Sequence, residues 1–504
     1  MKLALRGVAV VAVLAAAVPL LTRADVAAQS GAAEIQLQLG TLLSAEGRWA
    51  EAYDAFVRAL TAGDADTRFR ARKGVVRSAL RSAQFDEGAS QARLLVDAAP
   101  RDPDVLALHG DAMWAVGLFD EAEASFQQAL SVSPGLARGR HGAARSLIGR
   151  NKLDAALGEA LVAVAATPGD PEIHVTLGHI YERMRRFEDA ATEYINVLRL
   201  LPQKDRTPAA AFLRAQAAYL QTFRNTTPYE LSQPKGVTLH TMPFKEVRGK
   251  IIVQGRINGG EWSDFVVDTG AERTVISRRA ALRAGVASVV STLSAGVGDV
   301  GIRGLEIGTI ESLEIGSLGV RNLPCLIKNP PLTGMPSRES EAFSPLAIGL
   351  SMRVDYKQRL VTFGTGLPEL PADFELPLYL NRLATVRGLV DNARPVNFVV
   401  DTGGEVISIS AATARALNKP AELRRIPLKV YGTSGWEREA YLLPGVDLTF
   451  DAIRYRNQSV VVLNLDAPSV LLGYQLGGII GHVFLSKYRV DMDLDRGVVR
   501  LKVL

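Results

Sequence analysis

The 504-residue sequence contains one cysteine, Cys325, and only six histidines. A single cysteine cannot form an intramolecular disulfide, and the apolar neighbours of Cys325 indicate a buried core thiol. The histidines form no His-Glu-x-x-His pattern, so we predict neither a metal nor any other cofactor. The formal net charge is only +5. So small a surplus argues against a nucleic-acid-binding protein.

Long apolar runs are also scarce, and the one exception lies at the N-terminus. Lys2 and Arg6 precede an apolar run of residues 7–21, and small residues follow up to Ala28. This layout is typical of a secretory signal peptide over residues 1–28, because the run is short for a membrane-spanning helix. An uncleaved membrane anchor is the alternative. Cleavage would leave a chain with no stable membrane insertion, and a disulfide-free exported protein favours a bacterial periplasm.

The sequence from residue 33 to residue 204 repeats with a period of 34. Prolines at 100, 134, 168 and 202 close successive units, and large and small residues recur in phase, namely Phe85, Phe119, Leu153 and Phe187, with Ala122, Ala156 and Ala190. The period and residue types resemble those of tetratricopeptide (TPR) repeats, which implies an all-α solenoid. We predict five units and a capping helix near 208–223, so that the array covers 33–224. The resemblance implies a concave groove for a peptide or a protein partner.

Helical periodicity stops near residue 225, and the polar segment 225–236 is predicted to be a linker. The remaining sequence is rich in valine, isoleucine, threonine and glycine in short alternating runs, which is typical of an all-β structure. A proline-rich join at 366–371 divides it. We therefore predict two lobes, 237–368 and 372–504.

Each lobe contains one copy of a six-residue motif. Residues 265–270 and residues 398–403 both read Phe-Val-Val-Asp-Thr-Gly, and a small residue and a glutamate follow each copy. Such a segment is expected to form a short apolar strand that delivers a carboxylate into a turn, since glycine permits backbone conformations closed to other residues. Asp268 and Asp401 are therefore the candidate catalytic residues.

The duplication extends beyond this motif. A glycine-rich turn follows each aspartate by about thirty residues, and an apolar-apolar-glycine triplet follows by about eighty residues. The two triplets end at Gly349 and Gly481. On this alignment the first lobe is shorter than the second between the triplet and its final strand. We interpret Glu272 and Glu405, which follow the motifs, as structural residues that bond the backbone of the turns.

Together these features resemble the retropepsin-type half of an aspartic protease, present twice over residues 240–504 and similar in plan to the bilobal pepsins. The resemblance implies a β-barrel-like fold in each lobe and a shared cleft with Asp268 and Asp401 facing each other. It further implies support of this dyad by residues of both motifs, Thr269, Gly270, Thr402 and Gly403. Hairpin flaps over the substrate would contain Gly298, Asp299, Gly432 and Thr433.

We therefore predict an exported aspartic endopeptidase that cleaves protein or peptide substrates with water activated by the dyad. Two close carboxyl groups share one proton over a range of pH, so the pair supplies both an acid and a base. The array would recruit the substrate or a partner. The alternative is a non-catalytic periplasmic scaffold whose cleft binds peptides without cutting them. Residues 296–301 also fit a dinucleotide-binding pattern, but no βαβ unit surrounds them, and the absence of Gly-x-Ser-x-Gly disfavours a serine hydrolase.

Overall fold

The structure is a computed structural model that describes residues 23–62, 64–202, 205–223, 226–232, 237–298, 300–328, 341–417, 419, 425–432 and 434–504. Residues 1–22 of the predicted signal peptide lie outside the described residues, as do parts of the predicted linker. The first described helix begins at Arg23. In the described part of the chain, no helix combines the length and the apolar character needed to cross a membrane.

The N-terminal half consists of helices that pair in antiparallel fashion. They are α1 (Arg23–Ala45), α2 (Trp49–Ala62), α3 (Ala65–Arg81), α4 (Phe85–Ala98), α5 (Pro103–Ala115), α6 (Phe119–Val132), α7 (Ala137–Gly149), α8 (Leu153–Ala166), α9 (Pro171–Arg183), α10 (Phe187–Leu200) and α11 (Pro208–Leu220). Asp102 and Asp170 begin two of them by accepting hydrogen bonds from backbone N–H groups of the first turn. The proline that follows each aspartate suits the first helical position because it needs no amide proton there.

Neighbouring helices approach closely because glycines lie where they cross. A Cβ atom added at Gly110 or Gly142 would lie 2.5 or 2.2 Å from the ring of Phe126, and one at Gly178 would lie 2.7 Å from Tyr194. Both aromatic side chains are fully buried. The repeating small and aromatic residues therefore set the helix crossings of an all-α array.

The C-terminal half is an all-β pair of lobes. The first lobe contains β1 (Glu230–Ser232), β2 (Leu239–Pro243), β3 (Lys245–Val247), β4 (Lys250–Ile257), β5 (Ser263–Val267), β6 (Thr274–Ser277), α12 (Arg278–Arg283), β7 (Ser288–Ser294), β8 (Arg303–Ile315), β9 (Leu318–Lys328), β10 (Glu341–Phe343), β11 (Ser351–Asp355) and β12 (Leu360–Gly364). Strand β1 lies inside the segment predicted to be a linker, and it pairs with β9.

The second lobe repeats this plan. It contains β13 (Phe374–Asn381), β14 (Leu383–Val390), β15 (Arg394–Val400), β16 (Ile407–Ser410), α13 (Ala411–Arg415), β17 (Ile426–Pro427), β18 (Val430–Gly432), β19 (Gly435–Glu437), β20 (Tyr441–Phe450), β21 (Ile453–Leu463), α14 (Asp466–Leu472), β22 (Gly478–Ile480), α15 (His482–Leu485), β23 (Tyr488–Asp493) and β24 (Val498–Val503). In each lobe the strand before the aspartate, β5 or β15, pairs in parallel with a short late strand, β10 or β22.

These late strands correct the alignment of the two lobes. The Asp268 amide donates to the carbonyl of Phe343 at 2.9 Å, and the Asp401 amide donates to that of Ile480 at 3.0 Å. Ser344, and not Gly349, is therefore the counterpart of Gly481. The next strand, β11 or β23, then begins seven positions after each of these two residues. The predicted match of Gly349 with Gly481 and the predicted shortening of the first lobe are wrong.

One antiparallel sheet joins the lobes in the order β13-β24-β23-β11-β12-β2. Its central pair, β11 with β23, brings one strand from each lobe together. Across this pair Arg353 donates two hydrogen bonds to the carboxylate of Asp491, at 2.8 and 2.7 Å, and both side chains are largely buried. Because the sheet has strands from both lobes, the lobes form a single folded body.

The array contacts this body along one edge and through helix α11. The turns within successive repeats place residues 34 positions apart in the left-handed region, at Ala83, Gly117, Asn151 and Arg185. Three of these turns donate or accept hydrogen bonds with the lobes, through Gly117 with Asn397, Asn151 with Leu494 and Arg185 with Ile348. The repeat period therefore also spaces the contacts that hold the two halves together.

Candidate active site

The two Asp-Thr-Gly turns meet at the junction of the lobes. Each aspartate caps its own turn, since the Gly270 amide donates to Asp268 at 3.0 Å and the Gly403 amide donates to Asp401 at 2.8 Å. A Cβ atom added at Gly270 would lie 2.6 Å from Cγ of Asp401, and one at Gly403 would lie 2.6 Å from Cγ of Asp268. Only glycine lets the opposite carboxyl group approach this closely. The carboxyl groups of the two aspartates also hydrogen-bond to each other.

The threonines of the two motifs cross-link the turns. The Thr269 hydroxyl donates to the carbonyl of Val400 at 2.6 Å, and the Thr402 hydroxyl donates to that of Val267 at 2.7 Å. Each hydroxyl also accepts a hydrogen bond from the backbone amide of the other threonine, at 3.0 and 3.2 Å. Both threonines are buried. Because a buried polar group is costly to leave unpaired, this reciprocal network fixes the separation of the two turns.

The electrostatics of the pair are not symmetric. Burial, and after it the charge of Asp268, raises the pKa of Asp401 to about 7. Burial also raises the pKa of Asp268, but the positive charges of Lys328 and Lys250 oppose that rise. Two carboxyl groups this close cannot both ionise easily, so they hold one proton between them. The lysines therefore favour ionisation of Asp268 over ionisation of Asp401.

The glycine-rich turns of the two lobes touch each other. The Ser434 amide donates to the carbonyl of Val297 at 2.9 Å, and the Val300 amide donates to that of Ser434 at 3.2 Å. Gly298 and Gly432 lie at this contact, where a Cβ atom would come within 2.4 and 2.2 Å of backbone atoms of the opposite turn. Of the residues predicted for the flaps, Asp299 and Thr433 lie outside the described residues. The two turns are therefore in direct contact with each other in this structure.

The glutamates that follow the motifs differ from each other. Glu272 is not bound to its own turn, because Arg382 of the second lobe donates two hydrogen bonds to its carboxylate. Glu405 is exposed. The interpretation of Glu272 as a residue that bonds the backbone of its turn is therefore wrong, and the side chain instead forms an ion pair between the lobes. Among the described residues, no group of three or more histidine, cysteine, aspartate or glutamate side chains is placed to hold a metal ion.

Sequence reasoning missed Lys250 and Lys328. Lys328 is the last residue of β9 and pairs with Ser277, while its counterpart in the second lobe, paired with Ser410, is Leu463. The first lobe has a lysine at a position where the second lobe has a leucine. This difference can be read from the sequence, but only after the two lobes have been aligned by their strand registers. The internal comparison of the lobes was therefore the signal that could have found it.

Comparison with known families agrees with this site. The family described as "gag-polyprotein putative aspartyl protease" matches the chain over residues 253–335 and again over residues 386–476. Each match lies within one lobe and includes one Asp-Thr-Gly motif. A comparison with curated proteins gives no match.

Solved structures similar to the chain include several helical repeat proteins. A thermophilic TPR protein of Thermus thermophilus is 23% identical, with 38% of this chain and 100% of that chain covered and a TM-score of 0.33. PilF of Pseudomonas aeruginosa is 15% identical, with 40% and 89% covered and a TM-score of 0.29. A TPR protein of Parabacteroides merdae is 17% identical, with 38% and 72% covered and a TM-score of 0.29. At these scores the assignment of the array rests on its own 34-residue period and paired helices.

The fold and the paired motifs define a two-lobed, aspartyl-protease-like domain. The chain as a whole is an array of TPR-like helical repeats fused to that domain. The predicted resemblance and the predicted fold class, an all-α solenoid followed by an all-β pair of lobes, are confirmed.

Proposed function

We propose that the protein is an aspartic endopeptidase whose catalytic pair is Asp268 and Asp401 of the same chain. The observation that carries this proposal is the joining of two intact Asp-Thr-Gly turns by reciprocal threonine hydrogen bonds, with the carboxyl groups in contact. A carboxyl pair that holds one proton is the arrangement that peptide hydrolysis without a metal requires. Because one sheet unites the two lobes of the same chain, the catalytic pair would form within a single chain.

The asymmetry of the pair suggests a role for each aspartate. Ionised Asp268 takes a proton from a water molecule as the water oxygen attacks the carbonyl carbon of the peptide. Asp401 gives its proton to the carbonyl oxygen, which would otherwise become an oxyanion. Asp268 then gives its proton to the amide nitrogen as the carbon–nitrogen bond breaks, and Asp401 takes a proton from one hydroxyl of the intermediate as the carboxylic acid forms, which restores the starting state of the pair. The flaps exclude bulk water and must open for the substrate to enter.

We further propose that the protein is exported, with residues 1–28 as a signal peptide, and that it acts in a bacterial periplasm. The basic start and short apolar run of the sequence support this location. A repeat array usually contributes contacts with proteins, so recruitment of a substrate or partner by the array remains part of the proposal. That recruitment would use the outer surface, because the concave surface faces the lobes across a cavity.

Cleavage of a mixed peptide library between about pH 3 and 7 tests the peptidase, since the coupled pair is expected to titrate in this span. Asp268→Asn and Asp401→Asn should each abolish cleavage while leaving the unfolding transition in place, because either change removes the shared-proton arrangement. No cleavage by the wild-type protein over the whole range would favour the non-catalytic scaffold.

Mixing the two single variants distinguishes one-chain from two-chain pairing. If the pair forms within one chain, the mixture should remain inactive. If like lobes of two chains paired, each single variant would keep one intact pair and substantial activity, and that activity would fall on dilution. Asp264→Asn, at an exposed carboxylate four residues before Asp268, is the matched control and should keep full activity.

A further inference from the structure

The concave surface of the array and the back of the lobes enclose a cavity of about 930 Å³. Helices α3, α5, α7, α9 and α11 supply one wall. The opposite wall comes from the lobes and includes Glu272 and Arg273, which follow the turn of Asp268 directly, as well as Arg382 and Tyr474. A cavity of this volume falls in the range that holds small ligands.

The array closes on itself around this cavity. Arg81 of α3 forms ion pairs with Glu172 at 2.7 Å and with the buried carboxylate of Asp205 at 3.0 Å, far along the chain. The indole of Trp49 also donates to Asp205, at 3.4 Å. The contact between the first and last units and the lobes along the other edge narrow the groove that an extended peptide would occupy. The space suits a compact ligand.

The cavity has more positive than negative groups. Eight arginines and six carboxylates are among the described residues that line it. Arg183 and Arg185 donate their hydrogen bonds to backbone carbonyls and to the side chain of Asn151. Burial lowers the pKa of Arg183 to about 10, as expected for a guanidinium group without a carboxylate beside it.

Several of the donors in the cavity lack partners. Arg77 makes no hydrogen bond or ion pair to any side chain in the described part of the protein, although its side chain lines the cavity. Nη1 of Arg273, Nε of Arg145 and Nδ2 of Asn381 are buried there without hydrogen-bond partners. A buried donor without an acceptor is costly, so the three buried groups favour a ligand that brings acceptors, and the accessible guanidinium group of Arg77 favours one with negative charge.

We propose that this cavity is a binding site for a small anionic molecule that carries carboxylate or phosphate groups. The guanidinium groups of Arg77 and Arg273 bind the anion, and the aromatic residues of the walls contact its apolar part. Arginine suits this role because its planar fork matches both carboxylate and phosphate oxygens. The site is separate from the cleft of the aspartates, so it does not depend on the proposed peptidase activity.

Isothermal titration calorimetry of the full chain tests the site with three probes, inorganic phosphate, glutarate and the uncharged diamide glutaramide. Phosphate or glutarate should bind and glutaramide should not. The anion that binds more tightly identifies whether the ligand of the cavity carries phosphate or carboxylate groups. Arg77→Gln should weaken binding about tenfold or more, the loss expected when a charge-assisted hydrogen bond is removed. Arg101→Gln, at an exposed arginine outside the cavity, should leave the affinity unchanged.

The Arg77→Gln variant should fold like the wild type, because the Arg77 side chain makes no hydrogen bond or ion pair to another described side chain. Thermal unfolding of the two proteins should therefore match. The proposal is overturned if neither anion binds, or if Arg77→Gln and Arg101→Gln bind equally well. Equal binding of glutaramide would show that charge plays no part. Binding of an acidic peptide without binding of either small anion would also overturn it.

Discussion

Lys250 and Lys328 make a nearly symmetric pair of aspartates unequal. By strand register, the second lobe has Leu383 where the first has Lys250, and Leu463 where the first has Lys328. The motifs are identical in sequence, so the unequal charge surroundings of the two aspartates arise from residues that lie elsewhere on neighbouring strands. The lysines oppose the effect of burial on Asp268 alone.

Lys328→Met should move the acid limb of the pH–rate profile to higher pH. The acid limb reflects protonation of ionised Asp268, and the positive charge of Lys328 lowers the pKa of that group. Removing the charge raises this pKa, so at a fixed pH on the acid limb the variant should be slower than the wild type. The alkaline limb, set by loss of the proton from Asp401 near its pKa of about 7, should move less.

The measurement is kcat/KM for one peptide across the active pH range. Lys357→Met, at an exposed lysine of the turn between β11 and β12, is the control and should reproduce the wild-type profile. An unchanged acid limb in Lys328→Met would show that burial and the partner carboxyl group alone determine the pKa values of the two aspartates.

The duplicated strands and turns could be predicted from the sequence, but one pairing between them could not. Asp268 and Asp401 were found because both the motif and its flanks recur. The late strand of the first lobe was misplaced because Ser344 occupies the position that Gly481 occupies in the second lobe. Its hydroxyl donates to the carbonyl of Ala271 at 2.6 Å, so a hydrogen bond replaces the close backbone contact that glycine allows. Residues 347–349, an apolar pair and a glycine, therefore match residues 479–481 better in sequence, although their position in the fold is different.

Among the elements, the flap contact offers a direct test. In Gly432→Ala the added methyl group would lie 2.2 Å from the carbonyl oxygen of Val297, so the two turns could not close as they do here. We expect kcat/KM to fall about ten- to hundredfold, since imperfect closure misplaces the substrate and admits water. Steady-state kinetics on a short peptide measures this effect.

Gly304→Ala, at the base of the first flap, is the matched control. A Cβ atom there meets no other atom within 4 Å, so the change should leave kcat/KM near the wild-type value. If Gly432→Ala were as active as Gly304→Ala, contact between the flaps would have no part in catalysis.

At the scale of the whole molecule, the array is a structural part of the lobes. The ring of Phe119 lies 4.8 Å from Trp114 in the array, and 5.3 Å from both Tyr379 and Tyr474 in the second lobe. All four residues are buried. The sequence predicted each half separately, but nothing in the 34-residue pattern distinguishes a phenylalanine that packs within the array from one that packs against the lobes.

Phe119→Ala should uncouple the two halves. We expect a loss of about 3 to 5 kcal/mol, typical of a buried phenylalanine, and a helical signal that unfolds before the strands. Urea titration followed by far-ultraviolet circular dichroism reports the helices, and hydrogen exchange reports the strands. In the wild-type chain both should change in one transition.

Phe56→Ala is the control, because Phe56 packs against Gly40 and Gly74 inside the array. It should lower the stability without separating the two signals. Separate transitions in the wild-type chain, or a single transition in Phe119→Ala, would contradict the coupling.

The closure of the array has a consequence for how this architecture can change over evolutionary time. Ordinary solenoids gain or lose units with little penalty, since each unit contacts only its neighbours. Here the turns at Gly117, Asn151 and Arg185 each meet a different part of the lobes, and Arg81 reaches Asp205 across the ring. An inserted or deleted unit of 34 residues would put every later turn opposite the wrong partner. The number of repeats is thus a fixed count, and duplication within the array should be as disruptive as a frameshifted strand in a sheet.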